Sequence, residues 1–121
     1  MARHNDVGKW GEDVAADYLQ RHGFSITERN WKVGRLEVDI IATGPNIVLF
    51  VEVKTRRTDN FGSPQEAVDW RKQKNLLAAM HQYMAINHIE SPMRYDIISI
   101  VGSAESYELE HIENAVSNFI Y

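Results

Sequence analysis

Apolar residues recur at helical spacing through Val7, Trp10, Val14, Ala15, Tyr18 and Leu19, which predicts a helix over about residues 7–22 with one buried side. Asp6 stands where an N-cap would stand, and Gly23 supplies the stop. The pattern then changes. Phe24, Ile26, Glu28 and Asn30 alternate with Ser25, Thr27, Arg29 and Trp31, imperfectly, as an edge strand allows. Residues 36–57 follow as two runs rich in β-branched residues around the turn signal Thr43-Gly44-Pro45-Asn46. Residues 57–64 have loop chemistry, and Ser63-Pro64-Gln65-Glu66 reads as a helix start, with a short helical piece at 64–69. A longer helix near 71–87 buries Leu76, Leu77, Met80, Tyr83 and Met84. Residues 94–101 form a strand, 107–112 a weaker one, and 114–120 a last turn of helix. Short connections make the first three strands an antiparallel meander, and the crossover helix makes the third and fourth parallel. The expected fold is α/β: one domain over 1–121, a small mixed sheet flanked by helices, with residues 1–5 flexible.

Charges interrupt the apolar strands where a plain core would have none. Asp39 lies in the first run of residues 36–57, and Glu52 and Lys54 lie in the second. Residues two apart on a strand share a face, so Glu52 and Lys54 point one way while Leu49, Val51 and Val53 point the other. Glu37 and Asp39 share a face by the same rule. If the two charged faces coincide, several ionisable groups converge beside an apolar sheet. Glu12, with Ala15, Ala16 and Leu19 at three, four and seven positions on, lies on or beside the buried stripe of the first helix, as an edge residue or as a component of a site.

Composition narrows the classes. With 121 residues, 44% hydrophobic and 25% charged, the chain suits a soluble globular domain. Neither a membrane-spanning run nor a signal-peptide pattern is present, so the cytoplasm is the expected location. There is no cysteine, hence no disulfide, thiolate ligand or thiol nucleophile. The net charge of −4 is unevenly spread: residues 1–74 hold twelve of the thirteen bases against eleven acids, while residues 75–121 hold Arg94 alone against six. Lys54, Arg56, Arg57, Arg71, Lys72 and Lys74 face only three acids over 54–74, which leaves either a local basic surface or an ordinary solvated face. The five histidines lack zinc-protease spacing, and neither a glycine-rich phosphate loop nor a nucleophile elbow occurs.

Asp39, a gap, and then Glu52-Val53-Lys54 remain as the chemistry-bearing series. Two carboxylates from adjacent strands offer hard oxygen donors to Mg²⁺ or Mn²⁺, and the backbone carbonyl of Val53 could add another. A cation held there lowers the pKa of water and stabilises charge on a phosphate, while Lys54 can position the water or neutralise the transition state.

Asp39 with Glu52-Val53-Lys54 resembles the D-x(n)-E-x-K core of the PD-(D/E)xK, restriction endonuclease-like superfamily, whose element order is αβββαβ. The likeness is closest to the YraN family of bacterial proteins. It runs through Gly8, Gly11-Glu12, Ala15, Tyr18-Leu19, Arg29-Asn30, Glu37-Val38-Asp39, Phe50-Val51-Glu52-Val53-Lys54, Arg56, Lys72, Leu76, Arg94-Tyr95-Asp96, His111-Ile112 and Asn114-Ala115. The resemblance implies a metal-dependent endonuclease acting on DNA, including branched or recombination intermediates. Asp39 and Glu52 would hold the metal and Lys54 would assist the water. Glu12 would complete the site, as the matching glutamate does in archaeal Holliday-junction resolvases. Arg56, Arg57, Arg71 and Lys72 would contact phosphates. A homodimer is an assembly the resemblance allows, since junction nucleases often cut symmetrically. Glu37 is either a ligand or an exposed partner of Lys54 or Arg35. Leu36 stands where the family usually has glycine. Gln73 is followed four residues later by Leu77, not by the tyrosine of RecB-like nucleases. The alternative is a non-catalytic nucleic-acid or protein-binding module that keeps the fold.

Overall fold

The structure is a computed structural model that describes residues 3–57 and 70–115; the side chains of residues 3–6, 70 and 72 are outside the description. The expected helical piece at 64–69 and most of the expected last turn at 114–120 fall outside the described residues. Helix α1 spans Arg3–Arg21, and strands β1 (Ser25–Val33), β2 (Leu36–Gly44) and β3 (Ile47–Arg56) follow. Helix α2 (Trp70–Ile86) leads to β4 (Met93–Ser103) and β5 (Ser106–Ile112). The five strands lie in sequence order in one sheet, antiparallel except for β3 and β4, which run parallel. The meander and the parallel crossover pair agree with the sequence pattern, and the weaker strand becomes the second edge.

Helix α1 begins at Arg3, inside the stretch expected to be flexible and ahead of Asp6. Asp6 therefore lies within the first turns of the helix and not at its cap position. The far end closes as expected. Gly23 takes φ +93°. The Phe24 N–H donates to Leu19 O (3.0 Å) and the Gly23 N–H to Gln20 O (3.2 Å), the two bonds of a Schellman stop. Phe24 and Leu19 then join the same apolar cluster.

Among the described residues each face of the sheet carries one helix and one core. On one face Ala15, Ala16 and Leu19 of α1 pack with Ile40, Leu49, Val51, Ile98 and Ile100; on the other Leu76, Met80 and Tyr83 of α2 pack with Val38, Ile41, Phe50, Tyr95 and Ile97. Phe50 and Trp31 both meet Tyr83 edge to face, with centroids 5.6 and 5.2 Å apart. Full burial of each large side chain is worth roughly 1.5–3 kcal/mol, so the central strands β2, β3 and β4 form the rigid part of the molecule. Among the described residues no helix is long and apolar enough to cross a membrane.

Candidate functional site

The central irregularity of the sheet is at Asp39. Val38 packs toward α2 and Ile40 toward α1, although regular alternation would put both on one face. Strand β2 is therefore wrung at Asp39, and opposite it in β1 Asn30 has φ +55°. The β2–β3 ladder ends at Ile40↔Val51. Beyond that pair the Val53 N–H donates to Asp39 Oδ2 at 2.8 Å, a side chain taking the place of the missing strand partner. The N–H and C=O of a strand residue point to the same edge, so the Val53 carbonyl also faces the gap between β2 and β3.

Helix α1 closes the gap from one side. A Cβ added at Gly11 would collide with Thr55 Oγ1, so glycine is what lets the helix approach β3 this closely. The approach brings Glu12 beside Asp39. Together with Val7, Gly8, Val53 and Thr55 they line a cavity of about 290 Å³. Glu12 Oε1 accepts from Arg29 Nη2 (3.2 Å) and Asn30 Nδ2 (3.3 Å), and Arg29 also bonds Asp13 (2.8 Å). Glu12 is thus an ion-paired residue beside the buried stripe of α1 that also lines the cavity with Asp39.

Asp39 sits among other acids. Burial pushes its carboxyl up to about 6, against the single Val53 N–H that favours the anion, and the charges of Glu12, Glu52 and Glu37 push it further the same way.

Glu52 and Lys54 share the opposite face of β3, the α2 side, as alternation predicts. Glu52 Oε2 pairs with Lys54 Nζ at 2.9 Å, and the Tyr95 hydroxyl donates a hydrogen bond to Oε1. Burial, then the Glu52 charge, raises the Tyr95 pKa far above its usual range, so this phenol remains a donor. The two charged faces therefore do not coincide in the simple way envisaged. Asp39 looks into the α1-side cavity and Glu52 toward α2, yet the Glu52 charge acts on Asp39 and the backbone of Val53 joins them.

The remaining sequence candidates divide. Glu37 is exposed and lies opposite Lys32 in the β1–β2 register; Lys54 pairs with Glu52 and not with it. Gln73 is half-buried on α2. Arg56 is half-buried at the end of β3 and Arg71 is exposed at the start of α2. Arg57 lines a different cavity beside α1, and the Lys72 side chain is outside the description.

The donor set suits a divalent cation of the Mg²⁺ class. It is all oxygen, net negative and held at a strand gap where burial and neighbouring acids disfavour the Asp39 anion. Among the described residues no three acidic or imidazole side chains converge into a complete cage. Mg²⁺ and Mn²⁺ tolerate this, because they bind through one or two carboxylates and retain water.

The profile described as "Uncharacterised protein family UPF0102" matches residues 11–100. The chain belongs to the UPF0102 family. It is 43% identical to a UPF0102 protein of Flavobacterium psychrophilum over 98% of this chain and 100% of that one. It is 44% identical to one from Bacteroides thetaiotaomicron, over 95% of each. A Porphyromonas gingivalis member is 42% identical over 95% of this chain and 87% of its own.

The segment matched to UPF0102 contains Glu12, Asp39, Glu52 and Lys54, and also two residues to which sequence reasoning gave no role: Tyr95, the donor to Glu52, and Asp96. Asp96 is fully buried. It accepts from Arg94 Nε (2.9 Å) and Nη2 (3.0 Å) and from the Asn114 N–H (3.0 Å), and it bonds His111 Nε2 (2.7 Å). His111 Nδ1 in turn meets the Tyr18 hydroxyl at 3.0 Å, which ties α1 to the sheet. Burial alone would raise the Asp96 pKa, but the bonds from His111, Arg94 and Asn114 together outweigh it and hold the carboxyl below its ordinary range.

Proposed function

We propose that this UPF0102 protein is a Mg²⁺- or Mn²⁺-dependent endonuclease of the PD-(D/E)xK kind that hydrolyses DNA phosphodiester bonds, with branched and recombination intermediates as its first candidate substrates. The observation that carries the reading is the state of Asp39. A carboxylate set in a strand gap, desolvated and surrounded by the charges of three other acids, is stabilised by a cation and by little else in its surroundings. The αβββαβ order, followed by one further strand, is compatible with the same reading.

Asp39, Glu52 and the Val53 carbonyl would hold the cation, with Glu12 supporting through water or a second position. When bound, such an ion supplies Lewis-acid polarisation of the phosphate and a water acidic enough to attack at neutral pH. Lys54, on the strand bearing Glu52, orients the attacking water and offsets the negative charge that develops on the phosphate. Tyr95 fixes the Glu52 carboxylate, and Arg29 with Asn30 fixes Glu12, so the acids are held before substrate arrives.

One observation favours a second reading, a non-catalytic binding module. Glu52 is already neutralised by Lys54 and bonded by Tyr95, while Glu12 is held by Arg29. Calorimetry separates the two. Under the nuclease reading Mg²⁺ or Mn²⁺ binds, Asp39→Ala and Glu52→Ala abolish binding, and Lys54→Ala binds metal without cleaving DNA. If neither metal binds, with or without DNA, the module reading stands in its place.

A further inference from the structure

Beside the carboxylate cavity lies a larger one of about 690 Å³, and Val7 lines both. Its wall is Trp10 from α1, Arg57 just past β3, and the β4–β5 turn with Ser103, Ala104 and Glu105. Tyr107 braces the Trp10 ring edge to face, with centroids 5.4 Å apart. The larger cavity thus offers an aromatic ring braced by Tyr107, an arginine and a carboxylate-bearing residue in its lining, and it shares Val7 with the cavity that Asp39 lines.

We infer that this cavity takes an unpaired base of single-stranded DNA, the nucleotide adjoining the phosphodiester presented to Asp39. The assignment of that neighbouring phosphate rests on the nuclease reading; the base subsite itself requires no metal. A base still stacked in a duplex cannot enter a recess, whereas an extruded or single-stranded one can, and its faces pack on aromatic rings whatever the sequence. Arg57 meets the backbone phosphate, which complements it in charge. Glu105 repels phosphate but accepts from an exocyclic amino group, as acidic side chains do with cytosine N4. The pocket therefore prefers cytosine over thymine, which lacks that donor. A single-stranded nucleotide held next to the scissile phosphate gives a physical reason for acting at flaps, junctions or ends.

The test is fluorescence anisotropy of labelled hexanucleotides with the full chain, in EDTA and at about 50 mM salt, where phosphate contacts are strong. An oligo-dC hexamer is expected to bind about tenfold more tightly than an abasic hexamer of equal charge, from the contribution of one stacked base. Oligo-dT should fall between them. Ala104→Trp, a substitution at an exposed turn residue that fills the recess, should remove the preference for dC over the abasic strand while leaving the thermal transition in place. Arg57→Gln should weaken both oligomers together. Equal binding of dC and abasic strands, an unchanged preference in a folded Ala104→Trp variant, or no binding to any hexamer overturns the assignment. If the preference is found but no substrate is cut with Mg²⁺ or Mn²⁺, the subsite stands and the nuclease reading falls. Metal-dependent cutting without the preference has the opposite meaning.

Discussion

Removing the Asp39 charge should make the metal-free protein more stable, although the substitution alters a residue central to the site. The carboxyl rises from 3.8 to about 6 on folding. At about 1.4 kcal/mol per unit the full shift corresponds to roughly 3 kcal/mol. Partial access to water reduces this to about 2 kcal/mol. The folded pKa is the higher one, so between about pH 4 and 6 the folded state binds more protons and stability falls as pH rises; above about 6 the whole penalty is present. Asp39→Asn lifts the penalty and leaves an amide oxygen to accept the Val53 N–H. In urea titrations with EDTA at pH 8 the variant should therefore exceed the native chain by about 2 kcal/mol, and the difference should vanish near pH 4. Adding Mg²⁺ should raise the native chain and not the variant, by the linkage between binding and stability. A variant less stable at pH 8, or a difference that does not change with pH, would refute the view that burial and neighbouring acids penalise the Asp39 charge.

Three further outcomes follow from the supporting contacts. Tyr95→Phe leaves Glu52 without its phenolic donor and should cost about 1–2 kcal/mol in urea unfolding, with an unchanged far-ultraviolet spectrum. Gly11→Ala forces a methyl group against Thr55 and should cost about 1–3 kcal/mol; in a double-mutant cycle Thr55→Ala should recover much of it, and strict additivity would contradict the contact. Asp96 has a depressed folded pKa, so its stabilising contribution is complete above the ordinary carboxyl value of 3.8 and disappears as pH falls through the lower folded value. Asp96→Ala leaves Arg94 and His111 facing a buried void and should cost about 3 kcal/mol or more at pH 7, while the acid transition of the remaining fold, followed by circular dichroism, loses its steepest part below pH 4.

The fold and half of the site were legible because they depend on local periodicity. Leu19, Val14 and Trp10 mark the buried side of α1, and β3 alternates regularly enough to put Glu52 and Lys54 on one face, where they pair. The direction of Asp39 was not legible. It depends on β2 breaking alternation between Val38 and Ile40, and neither glycine nor proline marks that point; the positive φ of Asn30 on the neighbouring strand is its counterpart. Tyr95 and Asp96 escaped for a different reason. Arg94-Tyr95-Asp96 reads locally as the polar entrance to a strand, and only the parallel register, Phe50↔Tyr95 and Val51↔Asp96, delivers the phenol to Glu52. The link from Asp96 through His111 to Tyr18 joins three elements, and no spacing along the chain encodes it.

The nuclease reading meets its most direct test in cleavage assays with linear, flapped and four-way DNA, each with Mg²⁺, Mn²⁺ or EDTA, comparing the native chain with Glu52→Ala. Expected is cutting of at least one branched or flapped substrate that needs the metal and is lost in the variant. Intact DNA under every condition, or cutting that persists in Glu52→Ala, contradicts it.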